Sequence, residues 1–265
     1  EAFARGTEIV VACPGRLLDL LAQGAARLDD VTFLVLDEAD RMLDMGFLPA
    51  VRRIVAKLPR ERQTLFFSAT LAGEIVKLSK DLLRDPHRVA IAPKNAAPTA
   101  EGLTHVAYTV DQQRKTDLLL HLLGDNRIFS AIAFTRTKSR ANRLALALAK
   151  HGHAAERIHG DRSQAQRTRA LEQFKKGKLR VLVATDLAAR GIDVADLGHV
   201  INFDVPMAPE DYVHRVGRTA RAAASGDAIT FVSRDEEPYF RDIEKVVGKR
   251  IDRAKTPSLP ERQPR

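Results

Sequence analysis

The strongest limit on how this chain can fold is an alternation of short apolar runs with amphipathic helical stretches, kept up over most of its 265 residues. Glu8–Ala12, Phe33–Asp37, Gln63–Ser68 and Arg88–Ala92 read as strands, Phe33–Asp37 as a buried one. Between them Pro14–Gln23, Pro49–Leu58 and Gly73–Leu83 have helical spacing, and Pro14 suits a helix's first turn. Strands separated by helices of this length imply a parallel sheet with helices on its faces. Ala92–Gly102 breaks the pattern with two prolines, a glycine and no periodicity, so it reads as a linker. The alternation then restarts. Leu103–Val110, Ala131–Phe134, Ala154–His159, Leu179–Ala184, His199–Phe203 and Asp227–Val232 read as strands. Gln112–Leu123, Lys138–His151, Gln164–Phe174, Pro209–Arg215 and Glu236–Val247 read as helices. The expected organisation is an α/β domain over 1–92, a linker at 93–102, a second parallel α/β domain over 103–247 and a basic tail at 248–265. With three prolines and little apolar pattern, the tail is expected to be disordered.

Composition narrows the function classes. No run approaches ~18 apolar residues, so no membrane span is expected. Glu1–Arg5 has neither an initiator Met nor a signal-peptide core. Cys13 is the only cysteine, which excludes an internal disulfide or a cysteine-rich zinc site and fits a reducing cytoplasmic setting. The net charge of +9 is unevenly spread: 13 basic and 13 acidic residues cancel over 1–92, 24 against 19 leave +5 over 93–247, and 6 against 2 leave +4 over 248–265. That asymmetry suits a polyanionic partner for the second half, or serves solubility alone. With aromatic residues at only 5%, base stacking is disfavoured as the main binding mode.

Asp37-Glu-Ala-Asp40 ends the run Phe33-Leu-Val-Leu36. Ligands of open α/β sheets bind outside the carboxyl ends of strands, where this pair of acids falls. One carboxylate can hold Mg²⁺ and its neighbour can deprotonate a water; the plainer alternative is a pair of acids starting a helix. Ser68-Ala-Thr70 follows another apolar strand and offers two hydroxyls, or merely a helix cap. Ala184-Thr-Asp-Leu-Ala-Ala-Arg-Gly-Ile-Asp193 leaves a strand with Gly191 free for close backbone approach, and with Asp186 and Asp193 for ribose or metal-water contacts; a plain strand–turn–helix connection reads equally well. In His214-Arg-Val-Gly-Arg-Thr-Ala-Arg221, Arg215, Arg218 and Arg221 recur three apart, which would set guanidinium groups on one side to meet phosphate, against a solvated basic face. Pro14-Gly-Arg16 and Thr135-Arg-Thr-Lys138 are weaker candidates for phosphate binding, or merely a helix entry and a cap; His159-Gly-Asp161 and Gln164-x-x-Arg167 could line a backbone-binding groove, or be a turn and a solvated helix face. No G-x-x-x-x-G-K-S/T phosphate loop occurs.

In this order, CPGR, DEAD, SAT, FTRTK, HGD with QAQR, ATDLAARGID and HRVGRTAR closely resemble the DEAD-box ATP-dependent RNA helicases over about residues 6–245, with local wording most like the bacterial RhlE-type group. The resemblance implies two RecA-like domains with ATP and RNA bound between them, and coupling of ATP hydrolysis to local duplex unwinding. By it Asp37 would bind Mg²⁺ and Glu38 would activate the attacking water. Ser68 and Thr70 would couple hydrolysis to RNA. Gly191 and Asp193 would touch the nucleotide, Arg218 and Arg221 would meet the γ-phosphate, and His214 would join the coupling network. Pro14, Gly15, Arg16, Thr137, Gly160, Gln164, Arg167, Thr185 and Asp186 would line the RNA backbone path. Cys13 stands where the family usually has Thr, which removes one hydroxyl contact to RNA. The family's adenine-reading segment and Gly-rich Lys loop would precede residue 1. The first domain is therefore expected to lack its early strands, and the chain alone to be inactive. The other readings are a non-catalytic RNA-binding module and a DNA helicase; the D-E-A-D wording disfavours the latter.

Overall fold

The computed structural model of the chain describes residues 6–68, 73–90, 102–124, 128–189, 197–219 and 226–260. The chain divides into two compact units, Glu1–Ile91 and Ala92–Arg265.

In the first unit, β1 (Phe33–Leu36) and β2 (Gln63–Phe66) pair in parallel, Phe33 opposite Gln63 and Leu36 opposite Phe66. Around them lie α1 (Pro14–Ala22), α2 (Ala39–Asp44), α3 (Leu48–Val55) and α4 (Gly73–Leu82). Leu36, Val51, Ile54, Ile75 and Leu78 are buried there. Two expectations fail. Glu8–Ala12 is not a strand: none of the described strands pairs with it, and Ile9, Val10 and Val11 stay exposed. β1 is not buried on both faces: Phe33 and Val35 are 63% and 55% exposed, while Leu34 is half-buried and Leu36 buried. Successive side chains point to opposite faces of a strand, so one whole face of β1 is uncovered among the described residues. Residues 88–90 of the expected closing strand also lack strand structure, and the rest of it lies outside the described residues.

The second unit is a seven-stranded, all-parallel sheet. In chain order its strands are β3 (Leu103–Thr109), β4 (Ala131–Phe134), β5 (Ala155–Ile158), β6 (Val181–Ala184), β7 (His199–Asn202), β8 (Gly226–Val232) and β9 (Asp252–Ala254). In space they run β5-β6-β4-β7-β8-β3-β9. The helices are α5 (Lys115–Gly124), α6 (Lys138–Lys150), α7 (Gln164–Lys175), α8 (Asp186–Ala189), α9 (Pro209–Val216) and α10 (Glu237–Val247). Alternation along the strands fills two cores. Ala131, Ala133, Val181 and Val183 pack with Leu118, Leu119, Leu144 and Leu148 of α5 and α6. Ile132, Phe134, Leu182 and Ala184 pack with Phe174 of α7, Tyr212 of α9 and Phe240 and Ile243 of α10. Burial on both faces explains why these strands read as continuous apolar runs.

The tail departs from the expected disorder over Ile251–Pro260. Gly248, at φ +76°, ends α10 in the left-handed region that glycine favours, and the chain turns back. Ile251 is buried, and β9 adds to the edge of the sheet with Ala107 opposite Arg253. Arg253 donates to Thr109 Oγ1 and to Glu237 and lies 4.9 Å above the Phe240 ring. Thr256 donates to the Thr109 carbonyl, and Arg114 to that of Pro260. Arg253, a basic residue that looks solvated in the sequence, is committed to the edge strand and its neighbours.

Candidate functional site

The acid pair leaves the sheet where the sequence puts it, at the carboxyl end of β1. Leu36 accepts from Phe67 N–H at 2.8 Å, and Phe67 in turn accepts from Ala39 N–H at 3.0 Å. Ser68, next in the chain, therefore emerges beside Asp37 and Glu38. Glu38 N–H donates to Asp37 Oδ1 at 2.9 Å. Glu38 itself sits at φ 51°, ψ 49°, a left-handed conformation that residues other than glycine rarely adopt. Such a residue costs about 1–3 kcal/mol and persists only where surrounding contacts over-determine it. Those contacts are the ladder bonds on either side and buried Arg41, whose guanidinium donates to Glu38 Oε2 at 3.0 Å. Both Asp37 and Glu38 remain exposed, so the carboxylates are held in place yet open to a ligand.

At the start of α1, Pro14 occupies the first turn, where its missing N–H costs nothing. No side chain caps this end, and Gly15 and Arg16 are exposed; Arg16 is paired with Asp19.

In the second unit the candidate residues gather at the carboxyl ends of the parallel strands. After β4, Thr137 Oγ1 accepts from Arg140 N–H at 3.2 Å and caps α6. Its neighbour Lys138 reaches Asp161 in the loop after β5 at 2.5 Å and lies against Gly160, where a Cβ would come within 3.5 Å of the lysine stem. This contact pulls Asp161 below its ordinary pKa, the hydrogen bond from Lys138 being the main cause. Ser163 and Gln166 close a capping box at the start of α7, and Arg167 donates to Gln164 Oε1 at 3.2 Å on that helix's first turns. Thr137, Gly160, Gln164 and Arg167 thus belong to adjacent loops and helix starts. Arg136, Lys138, Arg140, Arg162 and Arg167 line this rim, Arg136 and Arg140 paired to the buried Glu236 and Asp204 and Lys138 and Arg162 to Asp161 and Glu156.

After β6, Thr185 is buried and Asp186 accepts from Arg215 Nε and Nη2 at 2.6 and 2.8 Å. Arg215, only 2% exposed, also stacks on the Phe134 ring at 5.1 Å. This corrects the expectation that Arg215 shares an outward side with Arg218 and Arg221. α9 stops at Val216, Gly217 caps it, Arg215 turns into the core and Arg218 is half-exposed in the turn beyond. His214 lies in the last turn of α9. Thr70, Gly191, Asp193 and Arg221 lie outside the described residues.

The sequence reading missed a buried polar cluster behind this rim. Lys115, fully buried, is paired with Glu236 and lies 3.7 Å from Asp204. Burial pushes the Lys115 pKa down, and the two carboxylates oppose that shift. Glu236 also takes Ser233 N–H and Oγ and Arg136 Nη2. The available signal was Asn202-Phe-Asp204: polar residues interrupting an apolar run at a strand end, where a ladder alone does not require them.

In each unit the candidate residues lie at the carboxyl ends of parallel strands, where open α/β sheets bind their ligands. Comparison with known proteins gives the family. Residues 1–78 match the DEAD/DEAH box helicase family and residues 114–223 the helicase conserved C-terminal domain. The DEAD-box ATP-dependent RNA helicase CshA of Bacillus subtilis is 44% identical over 261 residues, which are 98% of this chain and 52% of that protein. Saccharomyces cerevisiae Dbp5 bound to RNA and ADP BeF3 superposes with a TM-score of 0.84 at 31% identity, over 94% of this chain and 66% of that one. The Escherichia coli DEAD-box protein SrmB, bound to the regulator of ribonuclease activity A, is 34% identical over 60% of this chain and 98% of that one, with a TM-score of 0.56. The chain belongs to the DEAD-box helicase family, and its fold is that of the family's RecA-like domains. It spans about half the length of the curated relatives it matches. Those relatives carry the CshA name, so the RhlE-type grouping stays a likeness of local wording. Among the described residues no helix is long and apolar enough to cross a membrane.

Proposed function

We propose that this chain supplies the water-activating acids and much of the RNA grip of an ATP-dependent RNA helicase, with residues 1–92 and 103–247 serving as its two helicase domains in a cytoplasmic setting. The observation that carries the reading is Asp37–Glu38 at the tip of β1, with Glu38 held in a strained backbone conformation and its carboxylate fixed by Arg41. Asp37 is exposed and makes no ion pair among the described residues, which suits Mg²⁺, an ion that takes one or two carboxylates and otherwise water and phosphate oxygens. Bound there with ATP, Mg²⁺ would neutralise charge on the β- and γ-phosphates. Glu38 orients and deprotonates the attacking water. Ser68 and Thr70 pass the state of that site to the RNA side, and His214 joins them. Gly191 and Asp193 meet the nucleotide from the second unit, and Arg218 and Arg221 stabilise charge on the transferring phosphate. RNA runs by its backbone along Pro14, Gly15, Arg16, Thr137, Gly160, Gln164, Arg167 and Thr185. Asp186 serves that path through its hold on Arg215. Dbp5, solved with RNA and ADP BeF3, supports both ligand assignments.

The test uses the longer protein. Glu38→Gln keeps shape and removes the base, so RNA-stimulated phosphate release should drop by about 10²–10⁴-fold while ATP binding persists. Arg221→Ala should slow turnover as well. Rates within a few-fold of the parent for both variants would contradict these roles.

For the chain as it stands a second reading has its own support: a non-catalytic RNA-binding module. Residues 1–265 contain no G-x-x-x-x-G-K-S/T loop to set the β- and γ-phosphates in line. Purified chain should then bind RNA without hydrolysing ATP. Phosphate release that is stimulated by RNA and abolished by Glu38→Gln would rule this reading out.

A further inference from the structure

Asp204, just past β7, is fully buried, and its polar groups reach the end of β4 and the loop after it, the starts of α5 and α6, and α9. Its N–H donates to the Phe134 carbonyl at 3.1 Å. Its Oδ2 accepts from Arg136 N–H, in the loop after β4, at 2.9 Å. Its Oδ1 lies 3.1 Å from Arg140 and 3.7 Å from Lys115, yet no hydrogen bond to it is aligned. Its carbonyl accepts from Arg215 Nη1 at 2.7 Å, and the same guanidinium nitrogen reaches Asn202 Oδ1 at 3.1 Å. Arg215 carries the link onward to Asp186. On the other side, Arg140 is the residue whose N–H is capped by Thr137 Oγ1. One residue therefore joins the loop bearing Thr137 to the arginine segment bearing His214 and Arg218.

A buried carboxylate needs partners, and the demand fixes geometry. Burying an ionised group costs several kcal/mol unless it is paired and hydrogen-bonded. The Arg136 N–H and the Arg140 guanidinium are the partners this buried carboxylate has in the β4–α6 loop and at the start of α6. Arg140 also stacks over the Phe203 ring at 5.7 Å, and Arg136 over that of Tyr239 at 5.9 Å, so both side chains have limited freedom to follow another course. The loop from Thr135 to Thr137 is exposed from Arg136 onward and would otherwise be free to shift.

We propose that Asp204 is a positioning residue for RNA capture: it holds the β4–α6 loop, and with it Thr137, in fixed register with the Arg215–Asp186 pair of the arginine segment. It touches no ligand itself. The inference rests on the RNA-side reading of Thr137 given above.

The experiment is a set of single-stranded RNA titrations of the whole chain, well below its melting temperature, with Thr137→Ala, Asp204→Asn and the double variant. Amide exchange at Arg136 and Arg140 is followed in parallel. Asp204→Asn should weaken RNA binding by about tenfold, the size expected from losing a hydrogen bond to a charged group. The double variant should bind no more weakly than Asp204→Asn alone, because both act through one loop. Exchange should accelerate at Arg136 and Arg140 while Val181–Val183 stays protected. Arg140→Gln tests the same link if Asp204→Asn does not fold; it should loosen the loop and weaken RNA binding to a smaller degree. Three results overturn the proposal alone: binding within twofold of the parent for the folded Asp204 or Arg140 variant, effects that multiply in the double variant, or exchange that rises equally throughout the second unit. If Thr137→Ala binds RNA as the parent does, the RNA-side reading falls and this inference falls with it.

Discussion

The two units answer the same design problem differently. The second buries β4 and β6 on both faces, each strand clamped between α5 and α6 on one side and α7, α9 and α10 on the other. The first has two described strands, with Phe33 and Val35 uncovered and Phe67 51% exposed. A two-stranded pair is marginal by itself, and exposed apolar side chains add no hydrophobic stabilisation, worth roughly 25 cal/mol per Å² when buried. The lesson is that the chemistry and the rigidity sit apart. The acids that would activate water lie on the lightly supported sheet, and most of the residues proposed for the RNA path lie on the robust one.

The largest expected effect on this contrast comes from the buried charge cluster. Lys115→Met leaves Glu236 and Asp204 without their buried cation and should destabilise the second unit by about 3–5 kcal/mol. Urea unfolding followed by probes in each unit should show only the second unit's transition moving. A shift of both transitions together would mean that the units do not hold their stability separately.

How much of this was legible in the sequence follows from which signals are local. Strands β3 to β8 and helices α5, α6, α7, α9 and α10 were visible because apolar patterning and helical spacing record burial directly, while the four-residue α8 was not read as a helix. The acid pair and the rim residues were visible because they follow strands in parallel order. β9 was not. Its three residues have no apolar alternation, and its stability comes from Thr109, Glu237 and Phe240, residues at least 12 positions away in sequence that only the folded sheet brings near. Arg215 was misread for a similar reason. Its spacing from Arg218 and Arg221 suggested a shared outward side, whereas Asp186 and Asn202 supply a buried site that the periodicity does not encode.

The next effect in size depends on pH. His105 is buried on β3 and bonded through Nδ1 to Tyr212 at 2.8 Å; burial first, then Lys249, lowers its pKa from 6.5 to about 4. The unfolded chain takes up the proton near pH 6.5 and the folded one only near pH 4. Stability of the second unit is therefore full above about pH 6.5 and declines as pH falls through that window, by at most about 3 kcal/mol. Melting curves from pH 7 to pH 4 should show the loss, and His105→Gln should flatten it. An equal slope in that variant would assign the pH dependence to other groups.

A smaller effect should come from the tail. Arg253 is paired with Glu237 and bonded to Thr109, so Arg253→Ala should cost about 1 kcal/mol. It should leave the salt dependence of RNA binding unchanged, because a charge already neutralised by the protein displaces no counterion from RNA. A flatter salt slope in this variant would make the tail part of the RNA path after all.

The most direct test of the contrast between the units is hydrogen exchange on the intact chain, comparing the amides of Leu34–Leu36 in β1 with those of Val181–Val183 in β6. Val181–Val183 should exchange only through global unfolding of the second unit, and Leu34–Leu36 through much cheaper local opening, with rates faster by orders of magnitude. Equal protection of the two strands would contradict the claim that one sheet is rigid and the other lightly held.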